Sequence, residues 1–130
     1  MTTFADVDAG VRAGIADYTL ALDDGRTDDV VATFCADGQV DIPGLGIHEG
    51  HDALRAAYAK VEPKWNQRHL VLNTLVTDWN AHEAHALSDV VFLLQGESGW
   101  DVTLVGRYED TLRNEDGVWR FQRRKATFIR

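Results

Sequence analysis

A single cysteine, a deficit of basic charge and the absence of any long apolar run set the first limits on this 130-residue chain. Cys35 stands alone, which rules out an internal disulfide and a thiolate metal cluster; beside Phe34 it reads as a small buried side chain. Thirteen Lys and Arg against 21 Asp and Glu leave a net charge of -8, which argues against nucleic-acid binding because phosphate contacts need a basic surface. Basic residues do collect in "RFQRRKATFIR", but there they alternate with apolar ones, as in a half-solvated strand. No apolar run approaches the roughly 20 residues needed to span a bilayer. The opening "MTTFADVDAG" has no basic segment ahead of an apolar core, so export by that route is not expected and a cytoplasmic location is. There is no Gly-rich phosphate loop after a strand and no nucleophile elbow, which leaves nucleotide, nicotinamide and flavin chemistry without support.

What is present is an ordinary globular composition, 45% hydrophobic and 26% charged, in a chain that reads as one domain over residues 1–130 able to bury roughly two-thirds of its unfolded surface. Val7, Val11, Ile15, Tyr18 and Leu22 recur at three- and four-residue steps, predicting an amphipathic helix from about Asp6 to Leu22 that stops in "LDDGR". Thr27 is expected to cap a second, short helix ended by Gly38. "QVDIPGLGIHEG" reads as two short strands or one broken strand, and "HDALRAAYAKVEP" as a third helix with Pro63 at its exit. From Asn66 onward the apolar period becomes two, predicting strands at about Arg68–Trp79, Glu83–Gln95, Trp100–Arg113 and Val118–Ile129. Three helices followed by a four-stranded meander is an α+β plan, and long twisted strands with helices on one face can curl around a pocket.

The candidates for chemistry are few. His82 and His85 of "HEAH" fall on a turn into a strand, where a three-residue step sends side chains to opposite faces. His48 and His51 have no third ligand near them in sequence, so no metal is expected. His69 heads an apolar strand, and strict alternation places it on one face with Val71, Asn73 and Leu75. Asp23 and Asp24 close the first helix, where the dipole disfavours an acid. Either both are solvated, or one is held inward by a histidine, forming a pair able to act as a general base. Asp89, a second acid in an apolar strand, reads as a structural partner for Arg107 or Arg124.

The stretches "YTLALDDGRTDDVVATFCADGQVDI", "GHDAL", "RHLVLNTLV" and "GRYEDTLRNEDGVWRFQRR" together resemble the SnoaL-like branch of the nuclear transport factor 2-like superfamily, nearest to the branch with scytalone dehydratase and hexachlorocyclohexane dehydrochlorinase. The resemblance covers nearly the whole chain. It implies a cone-shaped α+β barrel, with a strongly curved, mainly antiparallel sheet and three N-terminal helices enclosing an apolar pocket. It also implies a catalytic dyad of Asp23 and His69, with Arg124 as a pocket arginine and Tyr18, Asn73, Tyr108 and Val40 as pocket contacts. Strict alternation sets Arg124 on a face with Val118, Arg120 and Gln122. The resemblance breaks where scytalone dehydratase uses further polar groups, since the matching strand offers Gly106 and Tyr108, and where the dehydrochlorinase has a pocket aromatic, since Val40 stands there.

Two functions follow from the resemblance. One is a lyase, isomerase or cyclase without metal or other cofactor, in which His69 takes a proton from a small, largely apolar molecule. The other is a non-catalytic binding or assembly domain, like the small subunit of a ring-hydroxylating oxygenase. In both, Trp79, Trp100, Trp119 and Phe121 are more strand aromatics than one small core needs, and a homodimer through the sheet is expected.

Overall fold

The computed structural model describes residues 1–129. Helix α1 (Phe4–Asp23) starts at Thr3, whose hydroxyl accepts from the Asp6 N–H while the Asp6 carboxylate accepts from the Thr3 N–H. This capping box satisfies two donors that a helix start otherwise leaves without partners. The face carrying Val7, Val11, Ile15 and Tyr18 is buried, and α1 lies against the last strand so closely that a Cβ on Gly14 would meet the Trp119 carbonyl oxygen at 2.8 Å.

Helix α2 (Thr27–Ala32) is shorter than expected. Thr27 is its first residue, not its cap, and its hydroxyl donates to Glu62 instead. Gly38 does not end this helix: it lies inside strand β1 (Phe34–Ile42), where an added Cβ would sit 2.8 Å from the Phe121 carbonyl oxygen. Close backbone approach is what glycine provides there. Strand β2 (Gly46–Glu49) folds back on β1, and helix α3 (His51–Ala59) follows, burying Leu54, Ala57 and Tyr58.

The expected meander is present as β3 (Gln67–Trp79), β4 (Glu83–Gly96), β5 (Gly99–Glu115) and β6 (Val118–Ile129). It forms part of a larger, curved six-stranded sheet ordered β2-β1-β6-β5-β4-β3, in which β1 runs parallel to β6 and the other pairs are antiparallel. β2 and β3 are edges, so the expected curved, mainly antiparallel sheet is open. Among the described residues no helix is long and apolar enough to cross a membrane.

Two irregularities decide which residues face inward. Between Leu72 and Leu75 the pairing with β4 slips, so that Asn73 and Thr74 together oppose Ser88, and Asn73 takes a positive φ of 55°. A bulge of this kind resets alternation. Thr74 and Val76 turn inward, and Asn73 leaves the His69 face to donate to Asp89 on the outer surface. A second slip, at Gln122 on β6, places Arg124 on the inner side with Trp119, Phe121 and Ala126, not with Val118, Arg120 and Gln122. Trp119 and Phe121, expected outside, are therefore core residues under α1.

Arg124 is completely buried. Its Nε and Nη2 donate to the two oxygens of Asp110 at 2.9 and 3.1 Å, and the guanidinium lies 3.6, 4.4 and 4.5 Å from the ring centres of Tyr108, Tyr18 and Phe121. Burial, the largest single influence, would push the guanidinium down, but the charge and hydrogen bonds of Asp110 together with the Tyr108 and Tyr18 hydroxyls outweigh it and hold Arg124 protonated. Asp89 pairs with Arg107, not with Arg124. Breaking a buried pair strands the remaining charge, which costs more than removing both. Arg124→Met is expected to lower unfolding free energy by about 3–5 kcal/mol, and Arg124→Met with Asp110→Leu by much less, read from urea unfolding of the three proteins. Burial already raises the Asp110 carboxyl above its ordinary value. Acid would neutralise it in the single variant, so that deficit should shrink as pH falls.

Candidate active site

Asp23 is the last residue of α1, where the helix dipole is unfavourable to a carboxylate. Three donors compensate. The His69 backbone N–H reaches Oδ2 at 2.7 Å, the His69 ring Nδ1 reaches Oδ1 at 2.6 Å, and the Gln67 amide reaches Oδ1 at 3.1 Å. The first contact is available because β3 is an edge strand, with backbone donors that no further strand covers. The Asp23 and His69 side chains are 6% and 17% exposed, so this is a part-buried pair with little competition from water.

With Nδ1 donating to Asp23, the neutral ring carries its lone pair on Nε2. His69 borders a cavity of about 210 Å³, and Phe92 lies against its ring with centroids 4.4 Å apart. Asp23 is not in the cavity wall, so it orients His69 from behind. Tyr18 and Leu22 of α1, the Ile42–Leu45 turn, Tyr58 and Val61 at α3, Gln67 and His69 of β3, Val90 and Phe92 of β4, Leu104 and Tyr108 of β5 and Phe128 of β6 complete the lining. None of these side chains except a protonated His69 carries a formal charge.

The other residues expected in the site divide. Tyr18 and Tyr108 do line the cavity. Val40 does not: it is fully buried in the core, beside Arg124 in the β1–β6 ladder. Asn73 is on the outer surface, and Arg124 lies behind the rings of Tyr18 and Tyr108, committed to Asp110 and absent from the lining. Neither is placed to touch a bound molecule. Gln67, Phe92 and Tyr58 are among the lining residues not anticipated as site residues. Gln67, two positions before His69, shares its strand face, so the period-two pattern contained the signal for it. Phe92 is the cross-strand partner of His69 and Tyr58 arrives from α3; neither position is visible without the fold.

Burial raises the hydroxyls of Tyr18, Tyr58 and Tyr108 above the ordinary tyrosine value, so all three stay protonated and act as neutral hydrogen-bonding groups. Cys35 is buried, its thiol pushed up to about 11 chiefly by that burial, and its Sγ contacts the Arg120 carbonyl at 3.7 Å. It is not a nucleophile. Ring nitrogens of His48 and His51 bond the carbonyls of Leu45 and Phe34, and among the described residues no three of His, Cys, Asp and Glu gather as a metal site.

Solved structures share this architecture. Rv3472 of Mycobacterium tuberculosis, a protein of unknown function solved as a single-site variant, is 25% identical with a TM-score of 0.87, over 94% of this chain and 71% of that one. A Novosphingobium aromaticivorans protein named for a suggested scytalone dehydratase activity is 23% identical with a TM-score of 0.82, over 94% and 83% of the two chains. The β subunit of a suggested aromatic-ring-hydroxylating dioxygenase from the same organism is 19% identical with a TM-score of 0.84, over 98% and 93%. No curated protein matches the chain. The match to the SnoaL-like domain runs over residues 5–125, nearly the whole of the folded unit that carries the Asp23–His69 pair, and the chain belongs to the SnoaL-like family.

Proposed function

We propose that this protein is a cofactor-independent enzyme of the lyase, isomerase or cyclase kind, in which His69 takes a proton from carbon on a small, largely apolar molecule. The observation that carries this reading is the 2.6 Å contact of Asp23 with His69 Nδ1, which leaves Nε2 as the basic nitrogen of a ring at an apolar cavity. Asp23 fixes the tautomer and stabilises the imidazolium once the proton is transferred. The apolar wall keeps water from competing for that proton. Arg124 and Asn73, the two groups expected to meet developing negative charge, are directed elsewhere, so that task falls to neutral donors of the wall.

The outer sheet face supports the second part of the proposal, a homodimer. Leu70, Leu72, Leu75, Val102 and Val105 are solvent-exposed there, with the Asp89–Arg107 pair among them. A two-fold contact would cover these side chains and set Asp89 of each copy near Arg107 of the other. The alternative is a scaffold that uses this face against a larger subunit and leaves the cavity without chemistry. The dioxygenase β subunit shows only that the fold is shared with such an assembly.

A ketone with exchangeable α-hydrogens, 2-indanone, serves as a probe of proton abstraction. In D2O the wild-type protein should accelerate loss of its α-proton signal in NMR spectra, and His69→Ala should slow the protein-dependent rate at least ~100-fold, the usual size of general-base effects. Asp23→Asn should lose less than His69→Ala but clearly more than a surface control. An unchanged rate in His69→Ala rejects the assignment. For assembly, sedimentation velocity at micromolar concentration should show a dimer that Leu72→Arg converts to monomer; monomer alone in the parent protein counts against the interface.

A further inference from the structure

One side of the cavity is closed by the turn that joins β1 to β2. Ile42, Pro43, Gly44 and Leu45 all line the cavity, and the Leu45 N–H donates to the Ile42 carbonyl at 3.0 Å. The Pro–Gly order and the φ of 87° at Gly44 match a type II turn. Gly46 follows with a φ of 100°, and two glycines so close together give the backbone little stiffness of its own. Beyond them β2 is a four-residue edge strand paired with β1 alone. The other lining residues stand on α1, at α3 or on paired strands. The turn is therefore the part of the wall least fixed by backbone bonds.

A side chain holds it. His48 pairs with Val40 in the β1–β2 ladder, and its ring folds back over Gly46, where a Cβ would lie 3.1 Å from Nε2. Nε2 reaches the Leu45 carbonyl at 2.7 Å. A carbonyl only accepts, so Nε2 carries a hydrogen and donates it. Among the described residues no backbone N–H reaches this carbonyl. The Leu45 side chain packs against the core, and His48 itself is absent from the wall. The ring thus acts on the cavity through Leu45. The volume gives this contact a consequence: an apolar cavity of about 150 Å³ takes benzene, so about 210 Å³ suits two fused rings. Three fused rings need the wall to yield.

We propose that His48 sets the size limit of the cavity: its bond to the Leu45 carbonyl holds the β1–β2 turn in place, and a ligand larger than two fused rings enters only by breaking that bond. This deepens the reading of the cavity as a substrate site and rests on it. His48 touches neither a bound molecule nor His69, so it is a positioning residue that determines specificity. A three-ring ligand loses in affinity what the bond is worth, whereas a two-ring ligand leaves the turn in place and loses nothing. For one hydrogen bond that penalty is about threefold to tenfold.

The test is equilibrium dialysis in a His69→Ala background, with indane as the two-ring probe and fluorene as the three-ring probe. Both are uncharged hydrocarbons, so a change in their affinity ratio between variants reports the size limit. His48→Ala should tighten fluorene about threefold to tenfold and leave indane within about twofold. His48→Gln, whose amide can reach the same carbonyl, should return the ratio to its parent value. Leu45→Ala trims the wall directly and should also favour fluorene. Gly44→Ala, strained at a φ of 87°, loosens the turn with His48 in place and should shift the ratio the same way, which keeps the test open if His48→Ala does not fold. An unchanged ratio in His48→Ala, an equal fall in both affinities, a shift that His48→Gln does not reverse, or no binding of either probe would each overturn the proposal. The exchange rates above depend on His69, whereas these affinities do not, so failure of the size limit and failure of the general-base assignment are separable.

Discussion

The Asp23 carboxylate joins the helical layer to the sheet, and the geometry of the cavity follows from where it is held. It ends α1 at the position least favourable to negative charge, and it is kept there by the His69 backbone, the His69 ring and the Gln67 amide. The backbone contact sets the axial position of α1 on the edge of β3. The ring contact fixes the rotation and tautomer of the imidazole. One group therefore docks a helix and prepares a base, so changes at Asp23 should be read for both effects.

Around that base the structure separates charge from the cavity. The guanidinium of Arg124 is wrapped by three aromatic rings and closed by Asp110, leaving a lining of hydrocarbon, three neutral phenols, the Gln67 amide and one imidazole. A low-polarity wall strengthens each hydrogen bond made inside it, and fixed neutral donors need no reorganisation when charge develops on a bound oxygen. The fold thus keeps a strong cation behind the wall and too enclosed to bind an anion.

The limits of sequence reading are seen at two residues. His69 is inward as alternation from Gln67 requires, but counting on by twos to Asn73 fails because a bulge inserts one residue opposite Ser88. Counting along β6 fails for Arg124 in the same way, because Gln122 has no partner of its own in β5. Asn73 and Gln122 are not glycines, and neither breaks the polar–apolar pattern around it enough to announce a bulge. Each slip moved a candidate site residue to the opposite face: Asn73 out to solvent, Arg124 in to Asp110. Gly38 misled for a different reason. A glycine after a short polar stretch resembles a helix stop, but here it is required by the close approach of β1 to the Phe121 carbonyl.

By itself the sequence determined the class of the fold and the order of its elements, because a change of apolar period from helical spacing to two is a local property of the chain. It also contained the Asp23–His69 pair, through the resemblance carried by the stretches around those residues. Tertiary structure alone decided that β1 and β2 extend the sheet, that it stays open, and that Trp119 and Phe121 are core. It also decided that Tyr58 and Phe92 belong to the cavity, residues brought together from separate elements of the fold. Periodicity assigns a face only as far as the register is unbroken, and the register is set by pairing between strands distant in sequence.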